Sequence, residues 1–236
     1  DSILRSSKNF RDHLNYFEKK LFALANLVSH YNGKELELKI DELNKLEEIE
    51  KSEVVRTVIE RNFSAQITFN DTAKILSLLK KETGTLVKLS GKLSAAKERD
   101  KIYIYRNHPE KKFIHLKIYA GEKIKLNGKT LFINTCTNLP EKFSDAHTVE
   151  YISADDLDDQ FTIRQWKQGD KFFPLGLKGS KKISDFLNEQ KILSFKKKEQ
   201  LLLTNAGRIV WVIGLRIDDR FKITKSTKRI YQLCLI

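Results

Sequence analysis

The sequence predicts an α+β protein: a small helical domain over residues 1–106, then a basic mixed α+β domain over 107–236 with mainly antiparallel strands and a short helix. Three observations carry that expectation. Apolar residues recur at helical spacing through the first third of the chain, the pattern changes to period-two alternation near Leu86, and strands resume after a glycine- and lysine-rich turn near residue 176.

From Ser6 to Tyr31, Phe10, Leu14, Phe17, Leu21, Leu24 and Val28 repeat at intervals of three and four, one apolar stripe with Gly33 as its stop. Ile40, Leu43, Leu46 and Ile49 continue the helical pattern, as do Val54, Val55, Val58, Ile59 and Phe63. A fourth segment gathers Ile75, Leu76, Leu78 and Leu79 behind Asn70 and Asp71 as capping candidates, and Gly84 ends it. Short helices with brief connections read as a small helical domain. Beyond Leu86, "TLVKLSG", "KIYIYR", "FIHLKIY", "EKIKLNGKTLFIN" and "TVEYIS" are rich in β-branched and aromatic residues. Pro109, Gly121 and the hairpin signal Asn127-Gly128 punctuate them. "FTIRQW", "QLLLT", "RIVWVIGLRI", "RFKIT" and "RIYQLCLI" complete the strand set, with a short helix around Ile183, Phe186 and Leu187.

A hydrophobic content of 40% with 14 Phe supports real cores. No apolar run approaches the roughly 18 residues of a membrane span. Cys136 and Cys234 stand far apart in strand-like surroundings, which fits buried free thiols in a cytoplasmic protein better than a disulfide or zinc site. The chain contains no Met and opens Asp1-Ser2 inside a helical pattern, so it reads as part of something longer. Net charge is +13, and it is unevenly spread: residues 161–236 hold 17 Lys and Arg against 6 Asp and Glu, leaving 27 against 25 in the first 160. An acidic run, Asp155, Asp156, Asp158 and Asp159, precedes the basic part. Such asymmetry marks a footprint for a polyanion, with a solvated lysine-rich surface as the alternative.

The residues offer no metal-ligand set, nucleophile–base pair or nucleotide loop. His13, His30, His108, His115 and His147 are dispersed, and adjacent Asp218 and Asp219 fit a structural role better than catalysis. "GLKGSKK" lacks the spacing of an ATP phosphate loop. Phosphate binding without chemistry fits better. Gly176 and Gly179 open the backbone, Ser180 is a natural N-cap for a helix starting near Lys181, and Lys178, Lys181 and Lys182 add charge. Glycines that merely make a turn, with lysines facing water, remain the competing reading. Trp211, Phe186 and Phe221 read as core, while Trp166 and Phe173 sit beside the turn as core or stacking residues. Arg216, Arg220, Lys222 and Lys225 would form a second basic edge if they alternate along one strand, and Lys196, Lys197 and Lys198 form a short charge run.

The ordered set Arg164, Trp166, Gly169-Asp170, Phe173, Pro174-Leu175-Gly176, Gly179-Ser180-Lys181-Lys182, Ser184-Asp185-Phe186 and Trp211 through Asp218 resembles the C-terminal domain of the tRNA(Ile)-lysidine synthetase family over residues 161–236. The helical segment is similar in length and character to that family's substrate-recognition domain. The resemblance implies an ATP-dependent ligase that joins lysine to the wobble cytidine of tRNA(Ile) with a CAU anticodon. Catalysis there, with ATP, Mg and lysine, belongs to an N-terminal domain whose Ser-Gly-Gly-x-Asp-Ser loop is not found in this chain. It therefore implies no catalytic residue and no cofactor here. The expected role is to hold tRNA, the acceptor stem included, through Arg164, Lys167, Lys171, Lys178, Gly179, Ser180, Lys181, Lys182, Lys196, Lys197, Arg216, Arg220, Lys222 and Lys225. Its expected partners are tRNA(Ile) and its own N-terminal catalytic domain, with a homodimer left open and no membrane. Leu177 stands where members often carry Met, and Lys196–Lys198 stand where many carry arginines and a Pro, which keeps charge but not a bidentate fork. Two alternatives stay in view: a general basic RNA-binding module, or a protein-docking module for the catalytic domain.

Overall fold

Helices and antiparallel sheets together make an α+β fold, and the first unit holds a five-stranded sheet beside its helices. The structure, a computed structural model, describes residues 2–107, 114–126, 128–137, 139–140 and 147–236. The turn signals at Pro109 and Asn127 lie outside the described residues. The chain divides into two units, Asp1–Pro109 and Glu110–Ile236.

In the first unit, α1 (Ser2–Val28) stops three residues short of the predicted end. Ser29–Tyr31 is instead a strand, β1, paired antiparallel with β2 (Glu35–Lys39) across a turn where Gly33 has φ +88°. The apolar signal at Leu36 and Leu38 is therefore alternation along a strand, and both side chains are fully buried. The helical segment expected from Ile40 to Ile49 is two pieces, α2 (Ile40–Asn44) and the start of α3 (Glu48–Phe63). A capping box between Glu47 and Glu50 opens α3, which buries Val54, Val55, Val58, Ile59 and Phe63. The cap of α4 (Phe69–Ser77) is Thr68, not Asn70 or Asp71. The Asp71 amide donates to Thr68 Oγ1 at 3.1 Å, and the Thr68 amide donates back to the Asp71 carboxylate at 3.0 Å. With β3 (Leu86–Lys88), β4 (Leu93–Glu98) and β5 (Lys101–Arg106), the strands form one sheet in the order β1-β2-β5-β4-β3. Leu93, Ala95, Ile102 and Ile104 pack with the buried residues of α3 and with Ile75 and Leu78. Only the second half of the α1 stripe joins this core. Leu21, Ala25 and Val28 are buried, whereas Phe10, Leu14 and Phe17 are exposed.

The second unit holds two larger antiparallel sheets. One has the order β15-β14-β13-β10-β6, from β6 (His115–Tyr119), β10 (Gln160–Gln165), β13 (Leu201–Asn205), β14 (Arg208–Val212) and β15 (Arg216–Ile217). The other has the order β7-β8-β16-β9, from β7 (Lys123–Leu126), β8 (Lys129–Cys136), β9 (Val149–Ser153) and β16 (Ile230–Leu235). Between β10 and β13 lie a two-stranded hairpin, β11 (Lys171–Phe172) with β12 (Lys181–Lys182), and two short helices, α5 (Ile183–Glu189) and α6 (Ser194–Lys197). Period-two alternation divides the strand residues between two cores. Phe161, Ile163, Leu203 and Trp211 pack with Leu131, Ile133, Ile152 and Leu233. Leu202, Ile209 and Val212 pack with Phe172, Ile183, Phe186 and Leu187. Trp211, Phe186 and Phe221 are core, as expected.

Two local expectations are corrected. Lys181 does not start a helix and Ser180 does not cap one, because Lys181–Lys182 is extended and paired with β11, and α5 begins at Ile183 without a side-chain cap. "RFKIT" is not a strand. The Asp218 carboxylate accepts from the Arg220 amide at 3.0 Å and turns Asp219–Phe221 into a single 3-10 turn. The acidic run is tied into the fold. Asp155 accepts from the Lys228 and Arg229 amides, and Asp159 accepts from Arg229 and from the Tyr231 hydroxyl at 2.6 Å, so the run secures the entry of β16. Neither Cys136 nor Cys234 forms a disulfide among the described residues, and Cys234 is buried.

Candidate nucleic-acid interface

The candidate site is the hairpin β11–β12 and what holds its loop. In the ladder Lys171 lies opposite Lys182 and Phe172 opposite Lys181. Neighbours along a strand face opposite ways, so Phe172 and Lys181 share one face and Lys171 and Lys182 the other. Phe172 is fully buried and meets the Phe186 ring edge-on at 5.0 Å. Lys181 on that face donates to Glu189 of α5 at 2.6 Å. Lys171 and Lys182 on the other face are exposed, and among the described residues neither makes an ion pair. Like charges set directly across a ladder destabilise it. An anion placed there would relieve the strain.

The loop between these strands has a rigid foot and an exposed tip. The Phe173 amide donates to Asp218 Oδ2 at 3.0 Å, the Asp219 amide to the Phe173 carbonyl at 2.6 Å, and the Leu175 amide to the Ile217 carbonyl at 3.0 Å. At the tip Gly176 has φ +85° and Gly179 φ +88°, left-handed values that a Cβ would strain, with open space around both. Leu177, Lys178, Gly179 and Ser180 between and after them are exposed. The helix dipole plays little part, since α5 has only seven residues and starts behind β12.

Residues 161–234 match a family model described as the TilS substrate C-terminal domain. The match covers the basic C-terminal part of the chain. The loop and its foot lie wholly inside the matched span. The chain is also similar to the tRNA(Ile)-lysidine synthase of Parabacteroides distasonis, 45% identical over 82 residues, which is 35% of this chain and 19% of that protein. To the tRNA(Ile)-lysidine synthase of Caldanaerobacter subterraneus subsp. tengcongensis it is 24% identical over 220 residues, covering 91% of this chain and 47% of that protein. To that of Clostridium tetani it is 29% identical over 165 residues, covering 67% and 35%. The chain thus spans less than half the length of these relatives. Among solved structures, one described as the crystal structure of the TilS C-terminal domain superposes with a TM-score of 0.47 at 20% identity, covering 52% of this chain and 96% of that one.

The remaining predicted contacts of the TilS-type segment sort by what already holds them. Arg164 is drawn inward. Nη1 and Nη2 donate to Asp170 at 2.7 and 2.9 Å, and Nη1 also donates to the Gln165 carbonyl at 3.0 Å. Burial pushes the Asp170 carboxyl up, but the Arg164 guanidinium and the Lys167 amide outweigh it and hold that carboxyl below its ordinary value. Lys167 lies exposed in the turn that this pair closes. On α6, Lys197 bonds Asn188 through its ammonium and accepts the Trp166 indole N–H at 2.6 Å through its carbonyl, which makes Trp166 a brace for α6. The Lys196 ammonium lies 5.8 Å from the Phe195 ring centre.

Arg216, Arg220, Lys222 and Lys225 do not alternate along one strand, since β15 is only two residues long. Arg216 is half-buried, and its charge and that of His147 pull down a Glu150 carboxyl that burial pushes up more strongly. Lys222 pairs with Asp219 at 2.8 Å, and Lys225 is exposed beyond the 3-10 turn. Arg220 is held by Asp218. Sequence reasoning did not single out Asp218 as an organiser of the loop, although its place in the Arg216-Ile217-Asp218 motif was visible. Among the described residues, no three His, Cys, Asp or Glu side chains converge to hold a metal ion, and no helix is long and apolar enough to cross a membrane.

Proposed function

We propose that the chain is the tRNA-binding, non-catalytic C-terminal portion of a tRNA(Ile)-lysidine synthase. In this reading the ligase chemistry, which uses ATP with Mg to join lysine to the wobble cytidine of tRNA(Ile) with a CAU anticodon, belongs to an N-terminal catalytic domain. The present chain recognises and positions the tRNA in the cytoplasm and reaches the acceptor stem. One observation carries the reading: within a segment matching the TilS substrate C-terminal domain, Lys171 and Lys182 oppose each other on an exposed face and make no ion pair among the described residues, with Lys178 at the loop tip.

An A-form stem presents phosphates and 2′-hydroxyls to such a surface, so recognition is mostly by charge and shape. Lys171, Lys178 and Lys182 supply the phosphate contacts, and Lys181 supplies less because Glu189 already holds it. The test is binding of the chain to tRNA(Ile), to unrelated tRNAs and to duplex RNA over a range of salt. The expected result is a steep salt dependence and a preference for tRNA(Ile). The double variant Lys178→Ala, Lys182→Ala should bind several-fold more weakly, with a salt slope reduced by one to two phosphate contacts. Equal affinity for all three RNAs would replace this reading with a general basic RNA-binding module. No RNA binding, with tight association to the N-terminal domain of the same protein, would replace it with a docking module.

A further inference from the structure

Two Arg–Asp pairs flank the hairpin, and they are built differently. In Arg164–Asp170 both side chains are about equally hidden, at 15% and 16% exposure, and both terminal nitrogens of the guanidinium are used inward. In Arg220–Asp218 the Asp218 side chain is fully buried while the Arg220 side chain is 42% exposed. Asp218 takes only one edge of that fork: Nε donates to Oδ1 at 2.9 Å and Nη2 to Oδ2 at 2.8 Å. The guanidinium carbon lies 4.7 Å from the centre of the Phe173 ring and 5.8 Å from that of Phe221. Among the described residues Nη1 donates no hydrogen bond. The same Asp218 carboxylate also accepts the Phe173 amide at the loop foot. The guanidinium and the loop therefore hang from one buried group.

We infer that Arg220 is a preset phosphate contact for RNA and that Asp218 is its positioning residue. The inference rests on the proposed tRNA binding. A surface arginine normally loses rotamer freedom when it binds, and ordering such a side chain opposes association. Here the fork is fixed beforehand by two hydrogen bonds and a ring face, so its free Nη1 edge meets a phosphate oxygen without that loss. The arrangement has a consequence that charge counting contradicts. Asp218→Asn removes a negative charge from a protein that binds a polyanion, yet it weakens binding, because Arg220 is released from its position.

The experiment measures tRNA(Ile) affinity against salt for the whole chain and for Arg220→Ala, Arg220→Lys, Asp218→Asn and the double variant Asp218→Asn, Arg220→Ala. Melting curves accompany each variant. The expected loss is about ten-fold for Arg220→Ala, with one phosphate contact fewer in the salt slope. Arg220→Lys should also lose affinity while keeping most of the slope, because a lysine keeps charge but not the held fork. Asp218→Asn should weaken binding, and by less in the Arg220→Ala background than alone, because there only its hold on the loop foot is left to lose. Arg220→Ala and Arg220→Lys binding as well as wild type overturns the inference. So does tighter binding by Asp218→Asn, or a full additional loss from it in the Arg220→Ala background. Where Asp218→Asn fails to fold, the two Arg220 variants decide. A wild-type chain that binds no tRNA instead overturns the proposed function, a result separate from a binding wild type beside unaffected Arg220 variants.

Discussion

Replacing Asp170 by Asn should destabilise the C-terminal unit by an amount set by the exposure of its ion pair. Asp170 accepts from Arg164 Nη1 and Nη2 and from the Lys167 amide at 2.7 Å. Fully exposed pairs contribute about 0.2–1 kcal/mol, and removing one partner of a fully buried pair costs about 3–5 kcal/mol. With both side chains about 15% exposed, an intermediate loss of about 2–3 kcal/mol follows. In a unit of roughly 125 residues that lowers the melting temperature by about 8–12 °C. The assay is thermal unfolding followed by tryptophan fluorescence, because both Trp166 and Trp211 lie in this unit and report on it alone. Its pH dependence gives a second check. The folded carboxyl titrates below its unfolded value, so its stabilisation is present above about pH 4 and lost as pH falls through the lower folded value. Wild type and variant should thus converge once the pH falls below that lowered value. A variant melting within 1–2 °C of wild type at pH 7, or a gap that persists unchanged in acid, would show that Arg164 is not anchored in this way.

Thr68→Ala should cost the N-terminal unit about 1 kcal/mol by removing the cap of α4, read as a lower urea midpoint with an unchanged m-value. Glu189→Gln should free Lys181 and strengthen tRNA binding at low salt, an increase that disappears at high salt; no change would mean that Lys181 faces away from the RNA. Burial, with the hydrogen bond to Asp159, pushes the Tyr231 hydroxyl up to about 12. The folded state therefore holds that proton between about pH 10 and 12 while the unfolded chain releases it, so stability falls across this window. Tyr231→Phe should remove that part of the alkaline loss, as measured by denaturation at pH 9 and pH 11.

The α+β class was legible because its signals are local: the three-and-four stripe of α3 and the alternation of "FTIRQW" and "QLLLT" each survive without knowledge of neighbours. What failed depended on pairing. The helical pattern that runs from Ser6 reaches Tyr31 on spacing alone, and only the ladder with β2 makes Ser29–Tyr31 a strand. Lys181 and Lys182 follow a capping serine, yet the register with Lys171 and Phe172 draws them into a hairpin and delays α5 to Ile183. The glycine- and lysine-rich loop itself was visible as an anion-binding candidate. Which lysines are paired was not, because that depends on Glu189 meeting Lys181 while, among the described residues, Lys182 makes no ion pair. The role of Asp218 was hidden for the same reason. Adjacent carboxylates say nothing about which one faces the core until the chain turns at Asp219.

The place of β16 bears on when the domain can exist during synthesis. This strand pairs with β8 on one side and β9 on the other, and β8 and β9 do not pair with each other. On the ribosome β8 and β9 both emerge first, and they must wait, with Leu131, Ile133 and Ile152 uncovered, until residues 230–235 arrive to join them. A ribosome that stalls before residue 230 therefore leaves β8 with a bare edge and β9 without a partner, a substrate for quality control.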